Sequence, residues 1–309
     1  MATDRPLHVV SVSIGSSTRD KSVEVTLGGR GFILERRGTD GDLAAARALI
    51  AELDGQVDVF GLGGIDLYLF AAGRRYTIRD AARLAAAARR TPVVDGSGLK
   101  AALEPAAVDW LEAQQLIDLR GAKALVVTAV DRFGLAETLA ARAREICFGD
   151  LMFNVGLPVP IRSARTLAWV ARAVLPAVVR LPFRWIYPIG EKQREITPRW
   201  GKWFAWADLI AGDWHMIHRY LPAGADSLAG KVILTNTTTS EDHAALAARG
   251  ARALVTTTPV FDGRSFGTNV LEAALTAAEG QGRPLPPDLL LSRLREWGWT
   301  PSLVPLGPS

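Results

Sequence analysis

A single cysteine, Cys147, in 309 residues excludes an intrachain disulfide framework and any multi-cysteine metal site. Such a chain suits a reducing compartment, and a cytoplasmic location is the expectation. An excess of one charge is also lacking. Lys and Arg number 36 against 32 Asp and Glu, and the resulting +4 is spread through the chain instead of forming a run. That balance suits a small anionic or polyhydroxylated metabolite and offers no basic tract of the kind that nucleic-acid binding needs. Met1 to Pro6 is short and polar, and the apolar run after it, His8 to Ile14, is only strand length, so no secretion signal is expected.

Long hydrophobic runs are missing too. The most apolar stretch, Leu167 to Ile189, is interrupted by Arg172, Arg180 and Arg184 and broken by Pro176 and Pro182. A transmembrane helix needs about 20 predominantly apolar residues, so no transmembrane segment is expected. The stretch reads as a buried helix or a subunit contact, the latter implying a homo-oligomer, with docking on a membrane surface as the alternative.

What is present is the material of a folded protein. Hydrophobic residues make up 49% and charged residues 22%, which argues against wholesale disorder. The length suits two α/β lobes. Residues 1–120 read as an N-terminal lobe of mixed β-hairpins and helices. Residues 121–309 read as a Rossmann-like parallel-sheet lobe, with an aromatic and proline-rich insertion at 151–198.

The stretch Val57 to Lys100 organises the first lobe. Val57-Asp58-Val59-Phe60 runs into Gly61-Leu62-Gly63-Gly64-Ile65-Asp66, and Val93-Val94 runs into Asp95-Gly96-Ser97-Gly98-Leu99-Lys100. Glycine permits positive φ and close backbone approach, so such corners can aim several N–H groups at one ligand. Ahead of them, Val9–Ile14, Ser22–Thr26 and Phe32–Arg36 read as strands. Gly38 to Asp42 caps a helix through Leu53, and Leu67–Phe70 with Arg75–Ile78 form a second hairpin. That opening order also occurs in ribonuclease H-like folds, which makes Mg-dependent phosphoryl transfer through Asp66 or Asp95 one alternative.

In the second lobe Ala124–Val130, the turn Asp131-Arg132-Phe133-Gly134, the helix Leu135–Arg144 and the strand Glu145–Phe148 spell a βαβ unit. In a dinucleotide site the helix N-terminus takes the pyrophosphate and an acid ending the second strand, here Asp150, takes the ribose hydroxyls. Asp131 and Arg132 flank that turn. Further on, Lys231–Leu234 ends in Thr235-Asn236-Thr237, and hydroxyl-rich strand ends line the carboxyl edge of a parallel sheet, where ligands collect. His215 lies in the polar and aromatic cluster Gly212 to Tyr220, where a single histidine can contact a ligand. His215 and His218 have no third partner at a metal-ligand spacing, and no metal is expected.

The blocks Ser11 to Ser17, Gly38 to Asp42, Phe60 to Tyr68, Arg74 to Asp80 and Thr91 to Lys100 resemble a bacterial family labelled quinate 5-dehydrogenase. The similarity continues through Val130 to Gly134, Phe148 to Phe153 and Arg264 to Asn269. The resemblance implies hydride transfer from a cyclohexane alcohol to NAD or NADP, with a lysine and an aspartate near the reacting hydroxyl and serine hydroxyls on the substrate. The usual lysine motif and the usual glycine-rich cofactor turn of quinate and shikimate dehydrogenases are absent here. Lys100 with Asp66 or Asp95 is therefore nominated on chemistry, with Ser16, Ser17, Ser97, Gly63 and Gly64 as candidate substrate contacts. A binding module that holds a metabolite without redox chemistry is the alternative from another class.

Overall fold

The computed structural model describes residues 5–182, 196–261 and 264–307. Part of the apolar stretch ending at Ile189, part of the 151–198 insertion and Gly263 fall outside the described residues. The protein is mixed α/β, built on two parallel-rich sheets. The first contains β1 (Leu7–Ser13), β2 (Lys21–Leu27), β3 (Arg30–Gly38), β4 (Val59–Gly63) and β7 (Val93–Val94), in the order β2-β3-β1-β4-β7. Helix α1 (Leu43–Leu53) links β3 to β4, capped as expected by Asp42, whose carboxylate accepts from the N–H groups of Ala44 and Ala45. A separate hairpin, β5 (Tyr68–Ala71) with β6 (Arg74–Thr77), leads into α2 (Arg79–Ala85).

β1 lies between β3 and β4 and runs parallel to both, with Val9 opposite Leu34 and Val59. A ribonuclease H-like opening in which three consecutive strands pair antiparallel is therefore not formed: β3, not β2, is the neighbour of β1. Side chains alternate along the strands. Val9 and Val59 face one layer and Val10, Val12, Phe60 and Leu62 the other, all buried.

Helix α3 runs from Ser97 to Ala113 with Pro105 inside it, and so takes in the Ser97 to Lys100 part of the second glycine corner. Gly96, at φ +87°, turns the chain straight from β7 into this helix. The second sheet contains β8 (Lys123–Val126), β9 (Glu145–Phe148), β10 (Leu209–Ala211), β11 (Val232–Thr235), β12 (Ala253–Thr256) and β15 (Ser302–Pro305), in the order β15-β12-β11-β10-β8-β9. All are parallel except β15, which pairs antiparallel with β12 at the edge. Helix α4 (Phe133–Arg142) joins β8 to β9. After it come α5 (Asp150–Phe153), α6 (Ala164–Val178), α7 (Gly201–Trp206), α8 (Trp214–Arg219), α9 (Ser240–Ala247), α10 (Thr268–Glu279) and α11 (Pro287–Glu296). Among the described residues no helix is long and apolar enough to cross a membrane.

The division at residue 120 does not describe the packing. α10 and α11 return to the first sheet, where Leu271, Leu275, Leu290 and Leu294 bury Leu7, Val9 and Val59. Without them that face of the sheet would stand in water. α3 and α4 pack together between the sheets, and one apolar cluster runs from Val10 and Phe60 through to Val126 and Leu234. In each sheet the order reverses beside its first strand, between β1 and β4 and between β8 and β10, and such switch points open crevices at the carboxyl edge.

Candidate functional site

The two carboxyl edges meet around a shallow pocket whose space, open solvent included, is about 290 Å3. Tyr68 and Phe70 of the β5 hairpin form one wall. Ser97, Lys100 and Glu104 on successive turns of α3 form the second, and Asp131 to Gly134, leaving β8, form the third. The start of α3 at Ser97 creates this wall, because spacing of three and four residues puts Ser97, Lys100 and Glu104 on one helix face.

Lys100 Nζ donates to Asp66 at 3.2 Å, with both side chains largely buried. Burial alone would lower the lysine's pKa, but the carboxylates of Asp66 and Asp131 outweigh it and hold the ammonium charged. Arg132 is more deeply buried. It donates to the Glu104 carboxylate and, at 3.0 Å, to Asp213 at the end of β10. These carboxylates overcome the cost of burying its charge and raise its pKa. Asp213 also accepts from the Asn236 amide at 3.0 Å, and Asn236 in turn accepts from the Trp214 N–H. Arg132 Nε has no hydrogen-bond partner.

Lys100 and Arg132 share the pocket lining with Glu104 and Asp131, and each is also paired with a carboxylate outside that lining, Asp66 and Asp213 respectively. Both cations are thus already engaged by carboxylates. The expectation of an anionic metabolite is accordingly narrowed to a polyhydroxylated one, whose hydroxyls can both donate to carboxylates and accept from the two cations.

Behind this wall Asp95 is buried. It accepts from the backbone N–H groups of Leu67 and Tyr68 and from the Ser97 hydroxyl at 2.7 Å. Burial, helped by the Asp66 charge, raises its pKa. Asp95 thus fixes the hairpin against α3, its oxygens face protein donors, and of the two aspartates nominated beside Lys100 it is Asp66 that pairs with it. Glu272 of α10 closes the end of α3 by accepting from the Leu99 N–H at 2.9 Å, and burial pushes its carboxyl up to about 8. The first N–H groups of α3, which a helix leaves unpaired, are therefore held by the protein's own carboxylates.

The glycine corners have a different purpose from the one expected. A Cβ on Gly61 would lie 2.7 Å from the Asn269 carbonyl oxygen, one on Gly96 2.5 Å from the Asn269 nitrogen, and one on Gly63 3.0 Å from Ser13 Cβ. Gly64, at φ +73°, turns the chain against Ile14. The space belongs to the start of α10 and to the end of β1, so Gly63 and Gly64 are corrected from substrate contacts to packing positions. Asn269 completes the seam by donating to the Ser11 hydroxyl at 2.8 Å.

Of the residues expected to hold a dinucleotide, Asp131, Arg132 and Gly134 line the pocket, while Asp150 and Asn236 lie outside its lining. Asp150 is buried, and its carboxylate accepts from the N–H groups of Ala129 at 3.0 Å and Val130 at 2.9 Å. Burial raises it to about 7. It fastens the loop after β8. Gly134 lies beside α3, where a Cβ would make ordinary contact with the Ala101 carbonyl oxygen at 3.4 Å. Asn236 is engaged by Asp213 and Trp214, while exposed Thr237 shares a 2.8 Å hydroxyl contact with Thr258. Asp150 and Asn236 are thus engaged by other groups of the protein. Ser16 and Ser17 lie at the β1 edge, where Ser16 contacts Thr18 and the Ser17 N–H donates to Asp40, and His215 is exposed on α8. None of the three lines the pocket. Among the described residues no group of three or more His, Cys, Asp or Glu is placed to hold a metal ion.

Sequence reasoning missed Glu104, Asp213 and Glu272. Glu104 is visible once α3 starts at Ser97, because it lies one turn beyond Lys100. The carboxylates of Asp213 and Glu272 come from other elements, and no local pattern announces them.

Fold and site together define a two-sheet α/β protein with a charged pocket between the sheets. The chain belongs to the family described as Domain of unknown function (DUF8754), whose model matches residues 98–306. A second model, Domain of unknown function (DUF8753), matches residues 8–95. No curated protein matches the sequence. Similar solved structures include an NAD-dependent malic enzyme from Thermotoga maritima, at 11% identity and a TM-score of 0.45 over 96% of this chain and 85% of that one. A putative malic enzyme aligns at 13% and 0.44 over 94% and 76%. GanP, a glucose-galactose binding protein from Geobacillus stearothermophilus, aligns at 10% and 0.40 over 98% of each chain.

Proposed function

We propose that the pocket binds a small, uncharged polyhydroxylated metabolite. The observation that carries this reading is the Lys100–Asp66 pair, 3.2 Å apart beside the open pocket that Lys100 lines. A charged ammonium donates to one hydroxyl oxygen while a carboxylate accepts from its neighbour, which suits a vicinal diol. Tyr68, with the Arg75 guanidinium 4.5 Å from its ring centre, offers a flat apolar face to the C–H side of a ring. Lys100 remains protonated in this setting, so it acts as a hydrogen-bond donor and not as a base.

The resemblance to quinate dehydrogenases gives a second reading, in which the same pair handles the proton of a hydroxyl undergoing oxidation. The Lys100–Asp66 geometry favours it. Of the residues nominated for the dinucleotide, Asp131, Arg132 and Gly134 line the same pocket, while Asp150 and Asn236 are engaged by other groups of the protein.

The test is a thermal-shift titration of the purified protein with inositol, quinate, shikimate, NAD+ and NADP+. A ligand at about 100 times its Kd adds roughly 2.7 kcal/mol of apparent stability. Inositol is expected to raise the Tm more than the carboxylated rings do, and Lys100→Met is expected to remove the shift. No shift with any polyol, or an undiminished one in Lys100→Met, overturns the proposal. A shift with a nicotinamide nucleotide that quinate increases establishes the second reading in its place.

A further inference from the structure

Nine large apolar side chains are exposed among the described residues, and seven of them fall between positions 155 and 196. They are Val155 (62% exposed), Leu157, Val159, Trp169 (76% exposed), Val174, Leu181 and Ile196. Single exposed apolar residues need no explanation, but such concentration does. Up to Pro182 that part of the chain is charged in one direction. From Leu151 to Pro182 it carries Arg162, Arg165, Arg172 and Arg180 and no carboxylate, and the next carboxylates in sequence are Glu191 and Glu195.

The parts are joined in space. Helix α6 turns Leu167, Ala171 and Leu175 into the core and leaves Arg165, Trp169, Ala173, Ala177 and Arg180 exposed along the opposite stripe. Immediately before it, Arg162 lies 5.1 Å from the ring centre of Trp203, and Lys202 lies 5.3 Å from the same ring. Arg199 comes within 4.0 Å of the Cβ position of Gly156, between exposed Val155 and Leu157. Glu145 is the carboxylate at the margin, 3.9 Å from Arg162.

We propose that this surface, formed by the 155–159 loop, the outer stripe of α6 and the start of α7, docks the protein onto an anionic lipid bilayer. Exposed tryptophan and short aliphatic chains enter the headgroup boundary, while arginines with apolar stems meet anionic headgroups. Charge decides between the occupants. A second copy packed about a two-fold axis would bring the same arginine-rich patch to both sides and set like charges together. An anionic headgroup layer supplies the missing negative charge.

The experiment is flotation of the full chain with vesicles of phosphatidylcholine alone and of phosphatidylcholine with phosphatidylglycerol. Binding is expected only with phosphatidylglycerol at low salt, and is expected to fall as salt shortens the screening length. Each surface arginine contributes roughly fivefold to such partitioning. The exposed double substitution Arg165→Glu with Arg180→Glu should therefore weaken binding at least tenfold while leaving the Tm unchanged. Trp169→Ser tests the apolar part separately and should also weaken binding. Absence of binding to phosphatidylglycerol vesicles, or equal binding to both kinds, overturns the proposal. So does a dimer in solution that Trp169→Glu converts to monomer, because then a second copy covers the face.

Discussion

Arg132, in the turn leaving β8, donates to the carboxylate of Glu104, which belongs to α3 and to the opposite wall of the pocket. Its second arm holds Asp213 at the end of β10. One guanidinium thus ties three elements that come from distant parts of the chain. Breaking a buried pair by removing one partner costs about 3–5 kcal/mol, because the other charge is left without compensation. Arg132→Met is expected to lose stability of that order in urea unfolding. Adding Glu104→Gln should restore a good part of it, and a fully additive double variant would show the two side chains to be uncoupled.

The fold is largely legible in the sequence, while the site is legible only in part. Apolar runs such as Val9–Val12 and Val232–Leu234, together with the turn chemistry of Gly38 to Asp42, carry their structure locally. They appear as β1, β11 and the α1 cap. The start of α3 is hidden because Gly96, Gly98 and Pro105 look like breakers. What overrides them is tertiary: Asp95 and Glu272 hold the first N–H groups, and Asn269 fills the space that the glycine leaves. Glycines that admit a helix and glycines that admit a ligand look the same in one dimension, which is why Gly63 and Gly64 read as substrate contacts. Lys100 and Asp66 stand out because their chemistry is unusual beside a strand end. Asp213 and Glu272 do not, since their partners lie 81 and 173 positions away.

The seam between Gly96 and α10 makes a direct prediction. Alanine at position 96 has to adopt φ +87° and place its Cβ 2.5 Å from the Asn269 nitrogen. A left-handed conformation costs a residue with a Cβ about 1–2 kcal/mol before any clash. Gly96→Ala should lose at least about 2 kcal/mol and increase hydrogen exchange at the start of both α3 and α10. Gly73→Ala serves as the control, because it shares a positive φ but meets nothing within 4 Å.

Glu272 makes stability depend on pH. Its carboxyl, ordinarily near 4.5, is raised to about 8 by burial, so the folded state holds a proton that the unfolded chain releases. The contribution is complete below about pH 4 and is lost as pH rises through about 8. Glu272→Gln keeps an oxygen for the Leu99 N–H and removes the titration. The variant is expected to match the parent near pH 5 and to exceed it by on the order of 2–4 kcal/mol near pH 9. Equal pH profiles of Tm for parent and variant would refute the assignment.

Lys100 titrates in the opposite sense, and this separates its role from that of a catalytic base. The charges of Asp66 and Asp131 lift its pKa above the ordinary lysine value of 10.5, so its ammonium is present throughout the neutral and mildly alkaline range and is lost only as pH rises through that lifted value. Calorimetric titration with inositol should therefore give a constant affinity from about pH 6 to about pH 9. Asp66→Asn removes the first of the charges that support the ammonium and one acceptor for the diol. Its affinity should be lower at every pH, by roughly tenfold for one charge-assisted hydrogen bond, and should begin to fall at a lower pH than in the parent. An affinity in the parent that instead rises with pH across this range would mean that a neutral lysine does the binding, and would assign Lys100 the role of a base.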